Sequence, residues 1–141
     1  MQGVKITDLV EKMDLKNLTP EIDLSDKYIT VPEVNRPALQ LTGFFDHFDS
    51  VRIQIIGVVE KNYLQTLDQE QKKEIYKQLF SYGIPCLICT TNIQPDEELI
   101  RQAIETRTPV FLTEKKTSPF QAEVIRWLNV QLAPCISIHG V

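Results

Sequence analysis

The sequence predicts an α/β fold in which a largely parallel sheet lies between two layers of helices. Apolar runs rich in β-branched residues, typical of buried strands, occupy 51–59, 84–90 and 110–113. Segments with helical periodicity separate these runs. Strands and helices that alternate at intervals of roughly 25–30 residues indicate βαβ units with right-handed crossovers. A three-layer αβα arrangement follows.

The first 50 residues show a weaker pattern. Thr7 is expected to cap a helix that ends at Met13. Asn35-Arg36-Pro37 is expected to act as a cap followed by proline, which opens a short helix through Leu41. Gly43 would then end that helix.

Two helices are predicted between the later strands. Asp68 can cap a helix that runs to Tyr82, with Gly83 placed to end it. Pro95 opens the next helix, and the acidic residues 96–98 lie in its first turn.

Ser118-x-x-Gln121 is predicted to form a capping box for a last helix that continues to about Leu132. After Pro134 the pattern becomes extended again over the final residues, where a new strand has no room to pair within the same sheet. We therefore expect one domain over 1–134, with 135–141 as the start of a further segment.

Composition excludes several classes of protein. The formal net charge is −4 and the 15 basic residues are scattered, which argues against a nucleic-acid interface. The sequence has no apolar run of about 18 residues and no signal-peptide pattern. Its three cysteines fit a reducing compartment better than a disulfide scaffold. The prediction is a soluble cytoplasmic domain with no membrane or nucleic-acid partner.

Two clusters resemble metal sites, but each has a simpler explanation. Cys86 and Cys89 form a Cys-x-x-Cys inside a predicted strand, where residues three apart face opposite sides, so two buried hydrophobic side chains are favoured. Asp46, His47 and Asp49 are interrupted by aromatic residues, which favours a turn with exposed acids anchored by those aromatics. No metal site is predicted.

Glycines give no sign of a catalytic loop. Gly57, inside a predicted strand, marks close approach either of a ligand or of packed protein, and packing is favoured. The five glycines, at 3, 43, 57, 83 and 140, form neither a phosphate-binding loop nor a Gly-x-Ser-x-Gly elbow. We expect no complete catalytic site and no bound cofactor in this chain. On spacing alone, His139 is an exposed side chain.

Three segments in register nevertheless resemble one family. They are Asn-Arg-Pro-Ala-Leu-Gln-Leu-Thr-Gly-Phe-Phe at 35–45, Arg-Ile-Gln-Ile-Ile-Gly at 52–57, and Leu-Ala-Pro at 132–134 with Ile-His-Gly-Val at 138–141. Together with Val-Lys-Ile-Thr-Asp-Leu at 4–9, they are similar to the amino-terminal domain of bacterial HPr kinase/phosphorylase. Ala38, where the family usually has glycine, and residues 135–137 depart from its pattern.

This resemblance implies a domain of a bifunctional, hexameric enzyme. Such an enzyme phosphorylates a serine of the phosphocarrier HPr with ATP or pyrophosphate and reverses the reaction by phosphorolysis, in carbon catabolite repression. Its phosphate loop and Mg²⁺ ligand belong to a carboxy-terminal P-loop kinase domain, so residues 135–141 would begin the linker or first strand of that domain. The catalytic histidine of the family maps onto His139. The implied fold is similar to the UDP-binding amino-terminal domains of the Mur ligases.

Two alternatives remain open. Open α/β sheets bind ligands beyond the carboxyl ends of their strands, so a nucleotide-sugar-like ligand could bind near Thr90–Gln94 and Thr113–Ser118. A pure interaction domain could instead contact a sibling subunit through exposed Phe44, Phe45 and Trp127.

Overall fold

The structure, a computed structural model, describes residues 3–134. These residues form seven strands and six helices. In chain order they are β1 (Val4–Lys5), α1 (Ile6–Met13), β2 (Lys16–Asn17), β3 (Tyr28–Ile29), β4 (Val34–Asn35), α2 (Ala38–Leu41), β5 (Ile53–Ile56), α3 (Val58–Leu64), α4 (Gln69–Ser81), β6 (Leu87–Cys89), α5 (Glu97–Thr106), β7 (Val110–Leu112) and α6 (Thr117–Gln131).

Five strands form the central sheet in the order β2-β7-β6-β5-β4. The pairs β4–β5, β5–β6 and β6–β7 are parallel, and β2 adds to β7 in the antiparallel sense, with Lys16 opposite Leu112. The remaining strands, β1 and β3, form a separate two-stranded antiparallel sheet. The predicted largely parallel sheet is therefore confirmed.

Each face of the central sheet carries its own hydrophobic core. Alternate strand residues point to opposite faces, so Leu87 and Val110 enter one core while Ile88 and Phe111 enter the other. Helices α2, α3, α4 and α5 cover the first face, and α1 and α6 cover the second. This is the three-layer αβα arrangement that the sequence predicts.

The predicted strand over 51–59 is wrong at both ends. The strand β5 covers only Ile53–Ile56, and α3 begins at Val58, with Gly57 as its N-cap in an extended conformation. Val58 and Val59 are 48% and 68% exposed. Their β-branched side chains therefore did not indicate a buried strand, because both lie on the solvent side of the first turn of α3.

The residues that cap the helices were predicted less well than the positions of the helices along the chain. Asp68 accepts a hydrogen bond from the Gln71 amide, so the α4 cap is confirmed. The Ser118 capping box is wrong, because α6 starts at Thr117 and Lys116 is its N-cap, with no side-chain cap bond. Neither Thr7 nor Asn35 is a cap. Helix α1 has Lys5 as its N-cap, and Asn35 belongs to β4.

Among residues 3–134, none of the helices combines the length and apolar character that spanning a bilayer requires.

Candidate functional site

Three polar residues and one glycine directly follow the parallel strands. Arg36 follows β4, Gly57 follows β5, Thr90 follows β6 and Thr113 follows β7. Because parallel strands place their carboxyl ends along one edge, these residues line the edge where α/β proteins bind ligands. We call it the carboxyl edge.

An ion pair forms the centre of this edge. Arg36 Nη2 donates to Glu60 Oε1 over 2.6 Å, and the Glu60 side chain is only 3% exposed, against 31% for Arg36. The same Glu60 oxygen accepts the Gly57 amide at 2.8 Å, which satisfies a free N–H at the start of α3. Glu60 therefore joins edge strand β4 to the end of β5 and the first turn of α3.

Gly57 has no room for a side chain. A Cβ at this position would lie 2.6 Å from Thr117 Oγ1 and 2.9 Å from Arg36 Nη2. Its backbone is extended, so the requirement for glycine comes from space and not from conformation. The packing hypothesis is confirmed, because protein side chains occupy the space above Gly57.

Helix α6 closes the cluster from the other face of the sheet. The hydroxyls of Thr90 and Thr117 share a hydrogen bond of 2.6 Å, and Gln121 Oε1 lies 3.5 Å from Arg36 Nη1. Arg36 Nε is buried and has no hydrogen-bond partner within the described residues. We call this cluster the clamp, because it joins both helical layers at the centre of the carboxyl edge. Its members are Arg36, Gly57, Glu60, Thr90, Thr117 and Gln121.

A cleft opens beside this clamp, past the ends of β6 and β7. Its volume is about 450 Å³. It is lined by Met13, Asp14, Leu15 and Lys16 from the α1–β2 connection, by Asn92 after β6, and by Leu112, Thr113, Glu114 and Lys115 at the end of β7. The loops predicted to hold a ligand, Thr90–Gln94 and Thr113–Ser118, therefore both contribute to this cleft.

The cysteines are core residues, as predicted. Cys86 belongs to the core on one face and Cys89 to the core on the other. Burial raises the pKa of each thiol to about 12, which keeps both protonated and unreactive at neutral pH. They cannot converge on one metal ion.

The segment Asp46–Asp49 forms the turn that the sequence predicts. Asp46, His47 and Asp49 are exposed, and His47 has a positive φ of 59°. Phe48 packs edge-on against Phe45 at 5.6 Å between ring centroids, which anchors the turn. Within residues 3–134, no group of His, Cys, Asp or Glu is placed to hold a metal ion.

Two further predictions have different outcomes. Phe44 is 50% exposed and Trp127 is partly buried against the second core, but Phe45 is only 9% exposed and belongs to the first core, so the proposed three-residue contact surface is wrong in Phe45. His139, with the rest of 135–141, lies outside the described residues.

The sequence patterns singled out Gly57 but did not reveal the ion pair of Arg36 with Glu60. The signal that could have found it is Gly57-Val58-Val59-Glu60, a glycine followed at the third position by Glu, which is typical of a helix start. The apolar run around it concealed that signal. Asp14 and Lys16 of the cleft carried no signal, because only the fold brings them to β7.

The fold and its edge define an α/β domain with a ligand-accessible carboxyl edge, and comparisons with known proteins narrow this class. A family model described as "HPr Serine kinase N terminus" matches residues 4–128. The HPr kinase/phosphorylase of Lachnoclostridium phytofermentans is 56% identical over 141 residues, which are 100% of this chain and 46% of that protein. That of Alkaliphilus metalliredigens is 38% identical over the same length and is 45% covered.

The fold is also present in a solved structure. It contains the CBS and DRTGG domains of the regulatory region of Clostridium perfringens pyrophosphatase, complexed with diadenosine tetraphosphate. The TM-score is 0.58 at 17% identity, over 93% of this chain and 48% of that one.

The chain belongs to the HPr serine kinase amino-terminal family. It spans a little under half the length of each of the two HPr kinase/phosphorylases named above.

Proposed function

We propose that this chain is the amino-terminal regulatory and assembly domain of a bifunctional HPr kinase/phosphorylase. The enzyme phosphorylates a serine of HPr with ATP or pyrophosphate, removes the phosphate by phosphorolysis, and acts in the cytoplasm in carbon catabolite repression. The active assembly is a hexamer. This assignment includes the proposal that residues 135–141 lead into a P-loop kinase domain.

The alignment with named relatives carries the proposal. The match at 56% identity runs over all 141 residues and corresponds to 46% of the Lachnoclostridium phytofermentans protein. The family model independently covers residues 4–128. A domain matched in this way supports the same role within a protein of the same organisation.

We propose that the chain is inactive on its own. Phosphoryl transfer depends on positioned backbone amides and cations around the phosphates, and the sequence contains no phosphate-binding loop. The described residues hold no cluster suited to Mg²⁺. We assign ATP and Mg²⁺ to the proposed kinase domain, and within this chain we assign a catalytic role in the whole enzyme to His139 alone. An imidazole beside the phosphates can orient groups or offset developing charge.

The test compares two proteins, this chain alone and this chain with its natural downstream sequence. Each is incubated with HPr and ATP, and serine phosphorylation is followed by intact-protein mass spectrometry. We expect no phosphorylated HPr with the chain alone and complete phosphorylation of HPr with the longer protein. Phosphorylation by the chain alone, or an inert longer protein, would contradict the proposal.

The two histidines provide a matched pair for the site. In the longer protein, His139→Asn should lower both kinase and phosphorolysis rates by about 10²–10⁴-fold, the usual loss for an acid–base or charge-stabilising group. His47→Asn, in an exposed turn, should change neither rate. Equal rates for the two variants would remove His139 from the mechanism.

A further inference from the structure

The chain crosses from one side of the sheet to the other beside the cleft. The loop after β6 leads to α5, which packs on the first core, whereas the loop after β7 leads to α6, which packs on the second. Neighbouring parallel strands whose loops leave to opposite faces open a crevice at their carboxyl ends. Within residues 3–134, β6 and β7 are the adjacent parallel pair with this property.

The cleft lies at this crevice and has the size of a ligand site. Both loops line it, the loop after β6 through Asn92 and the loop after β7 through Glu114 and Lys115. Its volume of about 450 Å³ is in the lower part of the range for small-molecule sites, roughly 300–1,000 Å³. That size suits a small metabolite better than a dinucleotide.

The wall formed by the β6 loop is held in an unfavourable conformation. Thr91 and Asn92 have φ of 57° and 53°, and a β-branched residue rarely adopts this region. Hydrogen bonds of 2.8 Å from both amides, to Lys115 O and Thr113 O, fix the two loops to each other. The wall is therefore preformed, which lowers the entropic cost of binding.

The charges at the cleft have both signs. Asp14 and Glu114 are carboxylates without an ion-pair partner among the described residues, and Lys16 is a cation in the same condition. Lys115 pairs only with exposed Glu123, at 2.7 Å, and such surface pairs exchange readily. A multiply charged anion would meet two carboxylates here, whereas a molecule with an ammonium and a carboxylate would meet complementary groups at both ends.

We propose that this cleft binds a small zwitterionic metabolite of the free amino acid class. Its ammonium group lies against Asp14 and Glu114, and its carboxylate lies against Lys16. The inference does not depend on the kinase assignment, since it rests on the topology, cavity and charges of this chain alone.

The experiment is a titration of ¹⁵N-labelled protein followed by NMR. The probes are pools of the twenty free amino acids and, separately, glucose 6-phosphate and UDP. We expect at least one amino acid to shift the amides of Asn92, Lys115 and Lys16 at millimolar or lower concentration. The two phosphorylated compounds should leave these amides unmoved.

Variants separate this site from weak surface binding. Asp14→Asn keeps a residue that tolerates the φ of 52° at this position, and with Lys16→Gln it removes one charge at each end of the ligand. Each should weaken binding about tenfold, the usual effect of losing a charge-assisted hydrogen bond. Glu74→Gln is the matched control, because it removes a carboxylate from the separate groove between α2 and α4.

Three outcomes would overturn the proposal. They are the absence of any shift with amino acids, shifts produced by the phosphorylated compounds alone, and equal affinity in the two cleft variants and the control. Unchanged amide positions away from the cleft would show that each variant remains folded.

Discussion

Gly57 shows how little free space remains at the end of β5. An alanine methyl group would lie 2.6 Å from Thr117 Oγ1, so Gly57→Ala should lower the free energy of unfolding by about 1–3 kcal/mol, as overpacking does. Urea denaturation provides the measurement. Thr117→Ala removes the closest atom, and in that background the cost of Gly57→Ala should be smaller.

The neighbouring Val58 supplies the control for this cycle. Its side chain is 48% exposed, so Val58→Ala should change stability by less than about 0.5 kcal/mol. Equal effects of Gly57→Ala with and without Thr117 would contradict the close-approach explanation.

Glu60 is a second residue with a large expected effect. Glu60→Gln leaves Arg36 without its counter-charge and should cost about 1–3 kcal/mol, reduced from a fully buried pair because Arg36 is 31% exposed. Glu123→Gln breaks the exposed pair with Lys115, which at 2.7 Å is nearly as short, and should cost below about 0.5 kcal/mol. Thermal unfolding at neutral pH compares the two, and a similar loss in both would contradict the argument.

The buried thiols predict both reactivity and pH dependence. Cys86 and Cys89 should resist iodoacetamide in the native protein and react after unfolding, as peptide mass spectrometry can show. Burial raises the pKa of each thiol from 9.0 to about 12. Above pH 9 the thiols ionise in the unfolded chain while they stay protonated in the folded one. The stability linked to the protonated thiols is therefore complete below pH 9 and is lost as the pH rises toward 12. Labelling of either cysteine in the native protein at pH 7.5 would contradict the burial of the thiols.

Single residues were the least predictable part of the site. The opposite orientation of Cys86 and Cys89 follows from strand periodicity, so the sequence suffices. The partnership of Arg36 with Glu60 joins positions 24 apart through the pairing of β4 with β5, and a local pattern contains no such information. The role of His139 stays a prediction.

Helix α6 provides a test of capping. Its N-cap Lys116 has the extended φ and ψ of −69° and 153° but no side-chain oxygen to bond the free amides. Lys116→Ser should therefore raise stability by about 1 kcal/mol. Lys116→Ala is the control, since it removes the lysine without adding a cap, and a gain of the same size there would contradict the explanation.

Elements were predictable where burial and capping agreed. Helix α4 has an aspartate cap, a buried stripe and a glycine after its end, and all three were visible in the sequence. Helix α3 was missed because its first residues, Val58 and Val59, continue the apolar run of β5. The four two-residue strands, β1 to β4, are too short for periodicity to reveal, and only pairing defines them.

The molecule as a whole should unfold in one step, because the same three central strands supply both cores. Leu79→Ala on the first face and Leu128→Ala on the second should each cost about 2–5 kcal/mol. The single tryptophan, Trp127, packs against the second core and reports on it by fluorescence. Fluorescence and far-UV circular dichroism should therefore give the same urea midpoint in both variants, and separated midpoints in Leu79→Ala would contradict this coupling.

The two lateral borders of the central sheet, β2 and β4, are each only two residues long. They expose few free backbone groups, so another polypeptide finds almost no template on which to extend the sheet. Fibril-like self-association through strand addition is thereby disfavoured. Specific recognition at these two borders would therefore depend on side chains, and single substitutions could tune it.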